Sequence, residues 1–263
     1  RASERASERA SGSGVMEHVV SLAAGGLFGL ALDKAKTNVP SVVSDQMEMR
    51  NMTMLRMFVS ASAASTAAMV VLDALGVRKR DVRTSMALGF GKLGGYGGNV
   101  LGGLLLGAGM FLTGSCPGTA WAQLPLGEAA ATLPSLVVGG LVGTILYGYA
   151  EKHIRACTPN YQKRGTVKES DLVPSNLNYA LMSAAYVGVA ALLLYAVDQQ
   201  YPWQSQVAKT MPGYPLASPA PQLPLQLDAV AWDPAVAGII VGLLQFPMHL
   251  TTAGALGMSS AWV

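Results

Sequence analysis

The sequence predicts an all-α, multi-pass helical membrane protein, and three observations carry that prediction. Charged residues make up 13% of the 263-residue chain, about half the roughly 25% usual in soluble domains. Hydrophobic residues make up 51%, and mean hydropathy is +0.36. Apolar runs approaching the roughly 20 residues needed to cross a ~30 Å hydrocarbon core recur along the chain. Most of these runs lack the polar face that a soluble amphipathic helix shows.

The first run, Val15–Leu32, carries Glu17 and His18 near its start and ends at Asp33 and Lys34, which mark a membrane surface. Met52–Leu75 is the second, and Val100–Thr113, with a glycine-rich lead-in from Gly94, is the third. Ala129–Tyr149, Tyr179–Val197 and Ala235–Leu250 follow. Three segments between them do not fit a plain helix: Asn38–Met49, Ala87–Tyr96 and Pro117–Leu126. Short or interrupted apolar segments point to the binding site of a transporter. Irregular backbone at membrane depth is tolerated only when buried in protein or lining a cavity.

Charge orients the chain. The loops Arg78–Arg83 and Glu151–Lys168 are basic, whereas Asp198–Asp233 has one Lys, three Asp and many prolines. The basic loops are expected on the cytoplasmic or matrix-like side, with the Pro-rich loop opposite and the N-terminus on the basic side. A net charge of +3 gives no reason to expect nucleic acid as a partner. Residues 1–14, RASERASERASGSG, read as a disordered polar tail, and their glutamates argue against a transit peptide.

Glycines recur four apart, as in Gly25/Gly29, Gly94/Gly98/Gly102, Gly103/Gly107, Gly139/Gly143 and Gly238/Gly242. Such pairs let helices approach closely in lipid. Residues 89–109 hold more glycine than packing requires, which marks backbone set against another backbone or a substrate path. A weak internal repeat is also visible: GGLFGLAL from Gly25 echoes GIIVGLLQF from Gly238, and each precedes a short segment with small polar residues.

Two cysteines, Cys116 and Cys157, are too far apart in sequence to form a zinc pattern or a disulfide framework. Cys116 lies in Gly114-Ser115-Cys116-Pro117-Gly118-Thr119, where proline breaks the helix ladder. The N–H groups of a helix starting there would favour an anion, with the thiol and the Ser115 and Thr119 hydroxyls beside it. Equally, Cys116 reads as a small buried hydrophobe, as free cysteines often are. Lys92, in an apolar glycine-rich stretch, is a binding candidate, or it extends to the interface near Arg78–Arg83. Met47, Met49, Met52, Met54 and Met57 are spaced 2, 3, 2 and 3 apart, which does not place them on one helical face. They read as adaptable core filler and not as a Cu(I) path. His249 reads as a lining or packing residue, His18 and His153 as interfacial. No nucleotide loop, catalytic triad, zinc pattern or haem motif occurs, so neither an enzyme nor a cofactor is expected.

The stretch GGLLLGAGMFLTGSCPGT resembles the signature of the YeeE/YedE sulfur-transport family, bacterial-type thiosulfate transporters. GGLFGLALDKA, VVSDQMEMRNMTMLRMFVSA and GIIVGLLQFP with LGMSSAW fit the same family, so the similarity covers roughly residues 22–127 and 236–262. The resemblance implies a pseudo-symmetric two-repeat fold with short re-entrant half-helices, and thiosulfate uptake along a path of cysteines. One of those cysteines corresponds to Cys116; no cysteine stands at the start of the first repeat, and Ser259 and Ser260 lie near the first short segment of the second.

The expected organisation is a polar tail (1–14), a first repeat (15–155), a basic loop (156–176), a transmembrane helix (177–197), a Pro-rich loop (198–234) and an incomplete second repeat (235–263). The expected function is membrane transport of thiosulfate or a related small sulfur-containing anion, bound by Cys116, Ser115, Pro117, Gly118, Thr119 and Lys92. The alternative is a transport-inactive, transporter-derived subunit of a larger membrane complex. Lipid, the anion and other membrane subunits or further copies are the expected partners, in a plasma membrane or a mitochondrial or plastid inner membrane.

Overall fold

The computed structural model describes residues 2–76, 97–123, 129–157, 176–211 and 230–251, and all its regular structure is helical. The helices are α1 (Ala2–Lys34), α2 (Pro40–Met47), α3 (Thr53–Ala74), α4 (Gly97–Thr113), α5 (Ala120–Gln123) and α6 (Ala129–Cys157). They continue with α7 (Asn176–Gln200), α8 (Trp203–Thr210), α9 (Pro234–Leu243) and α10 (Gln245–Thr251). Three segments are long and apolar enough to cross a membrane: Thr53–Ala74, Tyr179–Gln200 and Pro234–Thr251. Val100–Thr113 and Val137–Ala150 are shorter apolar stretches.

The boundaries differ from expectation in two places. Helix α1 begins at Ala2, inside the segment expected to be a disordered tail. Ala, Glu and Arg, which dominate that segment, are all strong helix formers. The expected loop 198–234 contains α8, started by Pro202 at its N-cap. The basic loop Arg78–Arg83, most of the loop 156–176, residues 212–229 and Lys92 lie outside the described residues.

The closest helix pair is α3 with α9. A Cβ added at Gly238 would collide with Ser60 Oγ and the Met57 carbonyl; one at Gly242 would collide with the Ala61 carbonyl and Ala64 Cβ. Backbone therefore lies on backbone along this seam, the contact that small-xxx-small pairs permit where lipid removes the hydrophobic drive between helices. The other pairs behave differently: Gly25, Gly29, Gly102, Gly103, Gly107, Gly139 and Gly143 have no such neighbour within 4 Å among the described residues. Their helices turn apolar side chains such as Leu22, Leu104, Leu112 and Leu146 outward, which suits a lipid-facing surface.

Helix α7 packs on the other side of α3, where Ser62 Oγ and Tyr186 Oη are 2.8 Å apart. Asp233 caps α9 by accepting the Ala235 N–H at 2.8 Å, a favoured N-cap arrangement. The Trp232 N–H donates to the Lys34 carbonyl at 2.8 Å, tying the end of α1 to the start of α9. Around that tie, Ala31, Leu32, Ala35, Met57, Trp232 and Ala237 form one buried cluster. Val42, Val43, Met54 and Cys116 form a second. The first turn of α3 lies between the two clusters, with Met54 in one and Met57 in the other.

Candidate functional site

Helix α4 ends at Thr113, and the chain reverses at Gly114 with φ +58°. A Cβ at Gly114 would meet the Pro40 carbonyl at 3.0 Å, Pro40 Cβ at 3.1 Å and Ser44 Oγ at 3.3 Å. Both the left-handed conformation and the available space therefore require glycine. Pro40 and Ser44 are one turn apart on α2, so the start of that helix rests directly on the break.

The turn that follows satisfies its own backbone. The Cys116 N–H donates to Thr119 Oγ1 at 2.9 Å. The N–H groups of Thr119 and Ala120 return to the Cys116 carbonyl at 3.1 and 2.9 Å. Gln123 reaches back, its Nε2 donating to the Gly114 carbonyl at 3.0 Å. The break that Pro117 imposes is thus repaired by side chains of the next six residues, as buried backbone demands.

Two groups donate to the Cys116 sulfur: the Thr119 N–H at 3.3 Å and, at the same distance, Thr119 Oγ1–H. That hydroxyl has a single proton, shared between Sγ and the Cys116 carbonyl, also at 3.3 Å. The thiol is otherwise walled by Val42, Val43 and Met54, with Val39 and Met110 at the edge. Phe28 of α1 completes the surroundings, since a Cβ at Gly118 would lie 3.7 Å from Sγ and 3.8 Å from Phe28 Cζ.

Of the six expected site residues, Ser115, Cys116 and Thr119 are buried, Gly118 is half-buried and Pro117 is exposed. Lys92, Ser259 and Ser260 fall outside the described residues. The expected anion-facing helix start has a different form. The N–H groups of Cys116, Thr119 and Ala120 are spent inside the turn, and α5 has four residues. What the turn leaves open is a hydroxyl: Ser115 Oγ is buried and has no hydrogen-bond partner among the described residues. The methionines divide as a core would have them, with Met52, Met54 and Met57 buried and Met49 69% exposed.

Two contributors were not picked out from sequence. One is α2, whose Val42 and Val43 cover the thiol; its short, proline-started pattern marked an irregular segment but not its target. The other is Arg56, a cation in the first turn of an apolar run, and that placement was the available signal. Arg56 is 3% exposed; its Nη2 donates to the Tyr201 carbonyl at 2.6 Å and pairs with Asp198 at 2.8 Å. Its Nε is buried and has no partner among the described residues. Burial pushes the carboxyl of nearby Asp233 above the usual aspartate range, against the pull of the Ala235 N–H and the Arg56 charge.

No curated protein and no solved structure matches the chain. A family model described as sulphur transport matches residues 34–263, a span that takes in α2, α3, α4 and α5 around Cys116. With three segments long and apolar enough to cross a membrane, that match makes this an integral membrane protein of the sulphur transport family.

Proposed function

We propose that the chain carries thiosulfate, or a closely related small sulfur-containing anion, across the membrane past the thiol of Cys116. The observation that supports this most is the pairing at the α4–α5 break. A buried thiol that receives two donors is preceded in the chain by Ser115, whose buried hydroxyl has no partner among the described residues. Thiosulfate carries a soft terminal sulfur and hard sulfonate-type oxygens. Cys116 can donate its S–H to either, and Ser115 Oγ–H can donate to an oxygen, so one anion satisfies both groups. No covalent step is required.

In this reading the chain is multi-pass, and α2 and α5 are re-entrant half-helices meeting at the site. The α1–α2 unit and the segment from α9 form corresponding parts of two pseudo-symmetric repeats. The apolar wall of Val42, Val43, Met54 and Met110 keeps water from the thiol and makes a strongly hydrated anion pay more to enter than a soft one. In this reading the movement is passive or gradient-driven.

The test is uptake of radiolabelled thiosulfate into vesicles reconstituted with the purified chain. Cys116→Ser is expected to abolish uptake while leaving thermal unfolding nearly unchanged. Unaltered uptake by that variant overturns the assignment of Cys116.

A further inference from the structure

Distant in sequence from Cys116, the buried guanidinium of Arg56 pairs with Asp198 at 2.8 Å and acts by charge on Asp233, the cap of the helix packed against α3. We propose that Arg56, Asp198 and Asp233 form a proton-binding site whose occupancy drives the anion step; the coupling rests on the transport reading above. The residues come from three elements: Arg56 from the first turn of α3, Asp198 from the last turns of α7, and Asp233 from the N-cap of α9.

Charge balance gives the stoichiometry. With both carboxylates ionised the trio carries one net negative charge, in a place where the guanidinium is almost fully buried. One proton makes the trio neutral. Asp233 takes it: its carboxyl is half-buried at the N-cap of α9, where one oxygen accepts the Ala235 N–H. Burial acts on Asp233 in the same direction, and the Asp198 charge adds to it. The proton comes from the aqueous phase and forms an O–H bond on one Asp233 oxygen; the other continues to accept the Ala235 N–H. No other bond changes.

Other charged groups among the described residues stand on the neighbouring elements. Lys36 is 3.4 Å from Asp33 at the end of α1, and Arg50 is 2.9 Å from Glu48 after α2. Lys34 ends α1 beside Trp232, and Lys209 is in the last turn of α8. Among the described residues, the groups acting on Asp233 by charge are Arg56 and Asp198. Helix α3 links the site to the thiol: Arg56 is two residues from Met54, which walls Cys116, and adjacent to Met57, which packs in the cluster with Trp232. A change in what holds Arg56 therefore acts on the first turn of α3, between the two clusters.

The titration is read first, on the purified full chain with Trp121, Trp203 and Trp262 replaced by Phe. Fluorescence of Trp232, next to Asp233, is followed from about pH 4 to pH 8. A transition centred above the ordinary aspartate value of ~3.9 is expected. Asp233→Asn, which keeps a good N-cap, should abolish it. Asp198→Asn should move it to lower pH, because the Asp198 charge that raises the Asp233 carboxyl is then gone while the Arg56 charge that lowers it remains. A flat native curve, or an unmoved transition in Asp198→Asn, overturns the proton site.

Coupling is read in vesicles. An inward proton gradient should accumulate thiosulfate about tenfold per pH unit for each net proton carried, since one unit is a tenfold activity ratio. Accumulation that ignores the gradient, or that follows it equally in Asp233→Asn, overturns the coupling. Absence of thiosulfate uptake under every condition instead overturns the transport reading, and the fluorescence titration then decides the proton site alone.

Discussion

Thr119→Val is the sharpest probe of the turn at Cys116. The two side chains have nearly the same shape, so the substitution removes a hydroxyl and little else. Thr119 is fully buried, and its Oγ1 is the acceptor for the Cys116 N–H at 2.9 Å. Valine leaves that N–H without a partner in a site water does not reach, which costs about 1–3 kcal/mol. The Cys116 carbonyl loses nothing comparable, because it still accepts from the Thr119 and Ala120 N–H groups. A chain of this size loses about 2–4 °C of Tm per kcal/mol. Thermal denaturation in detergent should therefore show a fall of about 2–12 °C. Thr119→Ser keeps the acceptor and should recover most of that loss. Thiosulfate uptake should fall in Thr119→Val, because the sulfur also loses the hydroxyl donor at 3.3 Å. A valine variant as stable as the native chain, or a serine variant as damaged as the valine one, refutes the reasoning.

Two further outcomes follow from glycine positions. Gly238→Ala should destabilise the chain by about 1–3 kcal/mol as overpacking, because the new Cβ strikes the Met57 carbonyl, which cannot rotate away; Gly139→Ala, facing open space, should not lower the Tm, and equal losses in both would show that the seam is misassigned. Gly114→Ala should cost about 1–2 kcal/mol for the left-handed backbone alone, with contact against Pro40 added; detergent-solubilised protein with native Tm and native uptake would contradict the role given to that reversal.

Much of the architecture was legible because lipid imposes a simple rule on composition. The runs at Met52–Leu75, Tyr179–Val197 and Ala235–Leu250 coincide with the three segments able to span, to within a few residues at each end. Pro117 and its glycines marked the break correctly, since proline cannot stay in a helix ladder. The internal repair of that break was not legible. It depends on Thr119 and Gln123 folding back over three and nine residues, and such choices are made by packing. Spacing likewise could not tell which glycine pair would carry a seam: Gly139/Gly143 and Gly238/Gly242 have the same pattern, but only the second faces Ser60, Ala61 and Ala64. Arg56 does not stand out in the sequence, because an apolar run absorbs one charge without losing its character, while the partners that hold it are about 145 residues away.

The seam between α3 and α9 also constrains how the molecule can move. Sliding one helix along the other by a single residue, about 1.5 Å, would bring a side chain to where Gly238 or Gly242 now lets backbone touch backbone. The two helices therefore behave as one stator. The contact of α2 with the α4–α5 break is of another kind, made by one reversal at Gly114 and a patch of valines and methionines that can repack. On the proposed transport reading, widening near Cys116 falls to that second joint and to the first turn of α3, which lies outside the glycine seam.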